Sequence, residues 1–324
     1  QLGSTLGAFG GGLLYDALGS YDLAWKIGVS LGLAAGIVQL AFALWRREHM
    51  RLLAEAHLAL AIVFGTIAPY FAFDGYPTFA FWTLEGAAIY WMGCRQKSVL
   101  ARGFALFLQL AAASYFWWVT QDQSPLLQNP PWFNERVIGC LLIAAASLLT
   151  GWFMKRFAAQ ISETEVAMQG PLVGWAGIWL LYGLLIGICS EWSSNLVRLP
   201  VLLAAIGACL LLAEFAGGFL DWRALRLAGR AHALLLGAMT IIWAAAFPGL
   251  HPLVESGMAA WPVSFAVYFF VLHRQAADGT ETRPGWRFAA GWVLLLAVAT
   301  WEVLWRYGEQ QFLWVWAIAF AALA

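Results

Sequence analysis

The sequence has little charge, few cysteines and no basic tract long enough to follow a phosphate backbone. Only 11% of its 324 residues are charged, against 62% that are hydrophobic. Soluble domains carry about 25% charged residues. This composition excludes an aqueous globular fold and makes the bilayer the solvent. Lys+Arg and Asp+Glu balance at 18 each, and with no basic tract, nucleic acid is excluded as a partner. The four cysteines, Cys94, Cys140, Cys189 and Cys209, form no CxxC pair and have no histidine at ligand spacing, so they read as small buried hydrophobes. The motifs HExxH, GxxxxGK(S/T) and GxSxG are missing, and the five histidines are scattered. No metal site and no cofactor is expected. The chain opens on Gln1 rather than Met and stops at Ala324 inside an apolar run, so both ends read as cut.

What is present is a succession of apolar runs. A hydrocarbon core about 30 Å thick needs about 20 mostly apolar helical residues per crossing. That criterion divides the chain into runs at 1–15, 23–44, 52–73, 78–92, 101–119, 137–154, 171–189, 201–220, 231–247, 258–272, 288–305 and 312–324, the first and last truncated. The runs are continuous rather than alternating, which predicts helices and not barrel strands. The expected fold class is therefore all-α, a polytopic transmembrane helix bundle of about 12 spans.

The distribution of Lys and Arg tests that division independently. Connections after the even-numbered runs hold 14 of the 18 basic residues: Arg46, Arg47, Arg51; Arg95, Lys97, Arg102; Lys155, Arg156; Arg223, Arg226, Arg230; and Arg274, Arg283, Arg287. The others hold only Arg136, Arg198 and Arg306, with Lys26 just inside a run. The expectation is a multi-pass protein of the cell inner membrane, with the basic connections and both observed ends on the cytoplasmic side. The other connections are tight, as at Asp74-Gly75-Tyr76-Pro77, or rich in proline and tryptophan, as over 120–136. Most of the 20 tryptophans fall near run ends, where they suit interfacial anchoring better than ligand cages. Gly3, Gly7 and Gly11, then Gly28, Gly32 and Gly36, predict a close helix hairpin, and Gly183 with Gly187 repeats the device.

Ionisable residues inside the runs are where function is sought first, because each is costly in hydrocarbon. Glu55 follows Arg51 by four residues and Glu302 precedes Arg306 by four, so each has a helical partner and a structural reading. His57, Lys26 and His232 sit close enough to run ends to snorkel. Glu85, mid-run, and Glu214 have no local cation. Each is a candidate proton-carrying or cation-contacting group, weighed against a carboxyl that merely fixes helix packing. The intramembrane candidates are thus Glu85, Glu214, Glu55 and His57. On the opposite face, Glu191 with Asn195 and His251 with Glu255 are candidates for a membrane-surface hydrolase or transferase, although such pairs arise readily by chance in polar loops. No catalytic residue is assigned.

Two resemblances emerge from particular segments. Gln1-Leu2-Gly3-Ser4, the loop carrying Tyr15, Asp16, Gly19 and Asp22, and Trp25 resemble the last two helices of a bacterial major facilitator superfamily transporter. From about Trp45 onward the sequence resembles an uncharacterised bacterial family of predicted membrane proteins, a domain of unknown function. It does so through Leu53-Ala54-Glu55-Ala56-His57, Asp74-Gly75, Trp82-Thr83-Leu84-Glu85-Gly86, Trp91-Met92-Gly93-Cys94-Arg95-Gln96 and Gly103-Phe104 with Gln109. The second resemblance implies a topology class, makes Glu55 and Glu85 motif residues, and implies no mechanism. The expected domains are 1–44, a transporter-like hairpin, and 45–324, a multi-pass domain of unknown function. A structural or accessory envelope protein is the first functional reading. A proton-coupled or facilitative small-molecule transporter is the alternative, and a membrane-embedded enzyme comes third. The expected partners are the lipid bilayer and either a small-molecule substrate or other membrane proteins.

Overall fold

The computed structural model describes residues 77–121, 132–247, 249–279 and 285–307, the isolated residues 30, 34 and 38, and side chains in the first helix only from residue 82. Among the described residues every regular element is helical. The chain divides into two compact units, Gln1–Asp122 and Gln123–Ala324.

In the first unit, α1 (Pro77–Arg95) and α2 (Val99–Thr120) form a hairpin. Ser98 turns the chain: its side chain accepts from Ala101 N, and its own N–H donates to Gly93 O at 2.9 Å. Glycine sets how closely the two helices meet. A Cβ at Gly86 would stand 2.9 Å from Ala105 O, and one at Gly93 would stand 2.7 Å from Arg102 Cγ. The facing side of α2 is correspondingly small, with Ala105, Ala112 and Ala113 buried, while Phe104, Phe107, Leu110 and Trp118 are exposed.

The second unit begins with α3 (Glu135–Arg156). Asn134 caps its start, Glu135 lies in its first turn and Lys155 and Arg156 in its last, all favourable to the helix dipole. A 3-10 turn (Ala158–Gln160) and α4 (Glu163–Ala167) follow, the latter opened by a reciprocal Ser162/Glu165 capping box. Next come α5 (Gln169–Glu191), α6 (Asn195–Phe219), α7 (Arg223–Arg226) with its continuing 3-10 turn (Leu227–Arg230), α8 (Ala231–Ala246), α9 (Gly257–Ala277) and α10 (Gly285–Tyr307). α3 packs on α5 at Gly183, where a Cβ would meet Cys140 Cβ at 3.0 Å, so this glycine does argue contact. Leu203 and Ile206 of α6, Leu236 and Trp243 of α8, Trp261, Tyr268 and Leu272 of α9 and Val298 of α10 form one shared core. Gly291 admits the Tyr268 ring where a Cβ would collide with it. Lipid is as apolar as these side chains, so close packing rather than water exclusion holds such helices together.

Eight of the runs expected from the sequence fall on α1, α2, α3, α5, α6, α8, α9 and α10. Among the described residues six stretches are long and apolar enough to cross a membrane: Val99–Thr120, Glu135–Arg156, Glu163–Glu191, Asn195–Phe219, Arg223–Ala246 and Gly285–Arg306. α1 and α9 have similar length but less apolar composition, with Thr83 and Glu85 in one and Pro262, His273, Arg274 and Gln275 in the other. The runs at 1–15, 23–44, 52–73 and 312–324, and with them the glycine repeats of the first two, lie outside the described residues.

Candidate functional site

Among the described residues the second unit buries one carboxylate near each end of its bundle. At the basic end, Glu214 sits in the last turns of α6 and is 1% exposed. The sequence behind it, Ala216-Gly217-Gly218, removes side chains where α7 folds back. A Cβ at Gly217 would stand 2.6 Å from Arg226 Cγ. Arg226 therefore reaches Glu214 Oε1 through Nη2 at 2.6 Å and Nε at 2.8 Å, and its Nη2 also meets Asp278 Oδ2 at 2.9 Å. Arg274 approaches the same carboxylate at 3.5 Å. Gln275 of α9 completes the set, donating through Nε2 to Glu214 Oε2 and to Arg226 O, both at 2.7 Å.

The chain of bonds continues inward. Arg287, 1% exposed at the start of α10, donates to Gln275 Oε1 at 3.2 Å and to Gly229 O at 2.8 Å. Tyr268 Oη donates to Arg287 O at 2.6 Å. His232 packs edge-on against the Tyr268 ring at 5.4 Å, with Nε2 3.2 Å from Ser264 Oγ. Glu214 thus couples α6, α7, α9 and, through Gln275, α10. A buried charge persists when it is paired and hydrogen-bonded in this way.

At the opposite end, His251 lies in the connection between α8 and α9, and its Nδ1 bonds Glu302 Oε2 on α10. Arg306, one turn further along α10, bonds the other oxygen of that carboxylate through Nε. The Trp305 ring lies tilted against the imidazole, 4.3 Å between centroids and 33° between planes, and its Nε1 donates to Gly249 O at 2.9 Å. Nearby, Arg198 closes the end of α5, donating to Cys189 O at 3.1 Å and to Trp192 O at 2.5 Å.

The family model described as "Predicted membrane protein (DUF2339)" matches residues 6–324. The chain belongs to this family. No curated protein and no solved structure matches it. The DUF2339 match begins at residue 6 and extends past residue 44, and the likeness of residues 1–44 to a transporter's last two helices finds no support. With six membrane-length apolar helices among the described residues, the DUF2339 chain is a multi-pass membrane protein whose role the family does not assign.

The candidates read from the DUF2339 sequence distribute unevenly over this geometry. Glu214 has no cation along its own helix but acquires Arg226 and Arg274 through the fold. Glu85 is half-buried in α1 and is engaged rather than free. Glu55 and His57 lie outside the described residues. Glu191, Asn195 and Glu255 are exposed, and Asn195 Oδ1 accepts from Arg198 Nη1 at 3.1 Å. No hydrogen bond or ion pair joins any two of Glu191, Asn195, His251 and Glu255, because His251 turns to Glu302 instead. His232, expected to snorkel, is 1% exposed, since Ser264 and Tyr268 receive it inside the bundle. All four cysteines are free thiols, Cys94 and Cys140 buried, Cys189 and Cys209 partly so. Among the described residues no group of three or more His, Cys, Asp and Glu side chains could hold a metal ion.

Sequence reading passed over Arg226, Gln275 and Arg287. Each stands in or beside a polar connection, where a charge or amide reads as solvated. The one local signal was the pair Gly217-Gly218, the first opening the space that Arg226 fills and the second facing Arg274.

Proposed function

We propose that this chain is a structural or accessory protein of the inner membrane, an array of about 12 helices whose intramembrane carboxylates serve cohesion of the bundle. One observation carries the reading: Glu214, the most deeply buried carboxylate among the described residues of the second unit, is bonded on both oxygens by Arg226 and Gln275. A carboxyl that carries a proton or a cation across a membrane has to exchange partners with water, and a saturated one is unsuited to that. The transporter reading is for this reason not favoured.

The alternation of basic and non-basic connections supports an orientation with α3 and α6 starting outside and the Arg226/Arg287 end facing the cytoplasm. The family match across residue 44 supports treating the first hairpin as part of the same array. Lipid is the expected partner of the exposed faces, along with other membrane proteins. The test is reconstitution of the chain into proteoliposomes under an imposed proton gradient. The expected result is gradient decay equal to that of empty vesicles. Saturable flux that Glu214→Gln abolishes would overturn the proposal.

A further inference from the structure

Three side chains tie the connection between α8 and α9 to its neighbours. Ser256 Oγ donates to Leu196 O at 3.2 Å, Trp305 Nε1 donates to Gly249 O at 2.9 Å, and His251 Nδ1 meets Glu302. The first two ties use a backbone carbonyl and leave no reactive group. The third differs, because an imidazole has two ring nitrogens and only one is used. His251 Nε2 makes no bond, and the side chain keeps 8% exposure.

The surroundings determine what that nitrogen can do. A carboxylate that accepts from the ring engages the Nδ1 proton, and in the neutral imidazole Nε2 is then the nitrogen with the unshared pair. Trp305 fixes the tilt of the ring, and Arg306 holds the carboxylate that orients it. Glu255, four residues on, is exposed and holds φ at 48°, a strained value for a non-glycine residue. His232 makes the contrast: its Nε2 faces Ser264 and its Nδ1 is sealed within the bundle. A carboxylate-held imidazole with an unbonded Nε2 has the arrangement used in general-base catalysis.

We propose that His251 is a general base at this membrane face, acting on a water or hydroxyl that attacks an ester-bearing amphiphile, with Glu302 as its positioning residue. His251 Nε2 takes the proton as the oxygen bonds to the ester carbonyl carbon. The ester C–O bond breaks, and the departing alkoxide recovers the proton from the imidazolium. Arg306, bonded to Glu302 only through Nε and 43% exposed, keeps further donors and its charge for an acidic group on the amphiphile. This inference is independent of the cohesion reading, which concerns the other end of the bundle.

The test uses the whole 324-residue chain in nanodiscs, treated at neutral pH with diethyl pyrocarbonate, and separately assayed with p-nitrophenyl acetate. Mass spectrometry should find His251 modified several times faster than His232, a result that needs no variant. His251→Asn should lower ester hydrolysis by about a hundredfold, the size of a general-base contribution. Glu302→Gln keeps an acceptor for Nδ1, so melting should be little changed while labelling of His251 slows and kcat falls with KM constant. Labelling of His251 no faster than of His232, or parental hydrolysis by His251→Asn, would overturn the proposal. Unchanged labelling and kcat in Glu302→Gln would remove Glu302 from its assigned role.

Discussion

The two ends of the second unit bury the same functional group and treat it differently. At the basic end, Glu214 is surrounded by Arg226, Arg274 and Gln275, and its exposure is 1%. At the other end, Glu302 is shared between His251 and Arg306, and the imidazole keeps one nitrogen unbonded. A carboxylate therefore has no fixed role in such a bundle. Both carboxylates are bonded on both oxygens; the donors to Glu214 join helices through an arginine and an amide, whereas one of the donors to Glu302 is an imidazole whose second nitrogen is left unbonded.

That contrast can be broken most forcefully at the basic end. Glu214→Leu leaves the largely buried Arg226 beside Arg274 with only the half-exposed Asp278 as its carboxylate partner, and removal of one partner of a buried pair costs about 3 kcal/mol. The expected outcome is loss of the monodisperse peak in size-exclusion chromatography. Gly291→Leu comes next, because its side chain enters the space of the Tyr268 ring, and overpacking of this kind costs about 2 kcal/mol. A lowered melting midpoint in detergent would show it. Arg287→Met leaves Gly229 O and Gln275 Oε1 without their donor, at about 1 to 2 kcal/mol. Its expected signature is faster amide exchange in the turn over Leu227–Arg230. At the opposite end the effect should be smallest, since Glu302→Gln keeps its acceptor and only the pairing charge is lost, about 1 kcal/mol in a partly exposed setting. Equal losses for Glu214→Gln and Glu302→Gln would erase the distinction between the ends.

Much of the fold was legible because a membrane imposes length and hydropathy on every crossing. The runs at 137–154 and 171–189 fall on α3 and α5, each of which extends about two residues past the run at either end. The polar ends of these helices were missed because a terminal turn that enters the interface need not be apolar. Glu302 with Arg306 was legible for a similar reason: both lie on one helix, four residues apart, where the helical repeat decides the contact. Glu214 with Arg226 was not. They stand 12 residues apart across a reversal of direction, so their meeting depends on how α7 folds back over Gly217. Gln275 and Arg287 add contacts made only when α9 and α10 pack beside the Leu227–Arg230 turn. His232 misled for the converse reason. Its place near a helix end suggested snorkelling, while Ser264 and Tyr268, more than 30 residues away, provide its partner and its cover.

The central claim is that Glu214 serves cohesion through Arg226. A double-mutant cycle with Glu214→Gln, Arg226→Gln and the double variant, read as unfolding free energy in mixed micelles, tests it most directly. The account predicts a coupling of about 2 kcal/mol, within the range for contacting residues in one network. Strictly additive losses would contradict it, because two side chains that stabilise the bundle through each other cannot be removed independently.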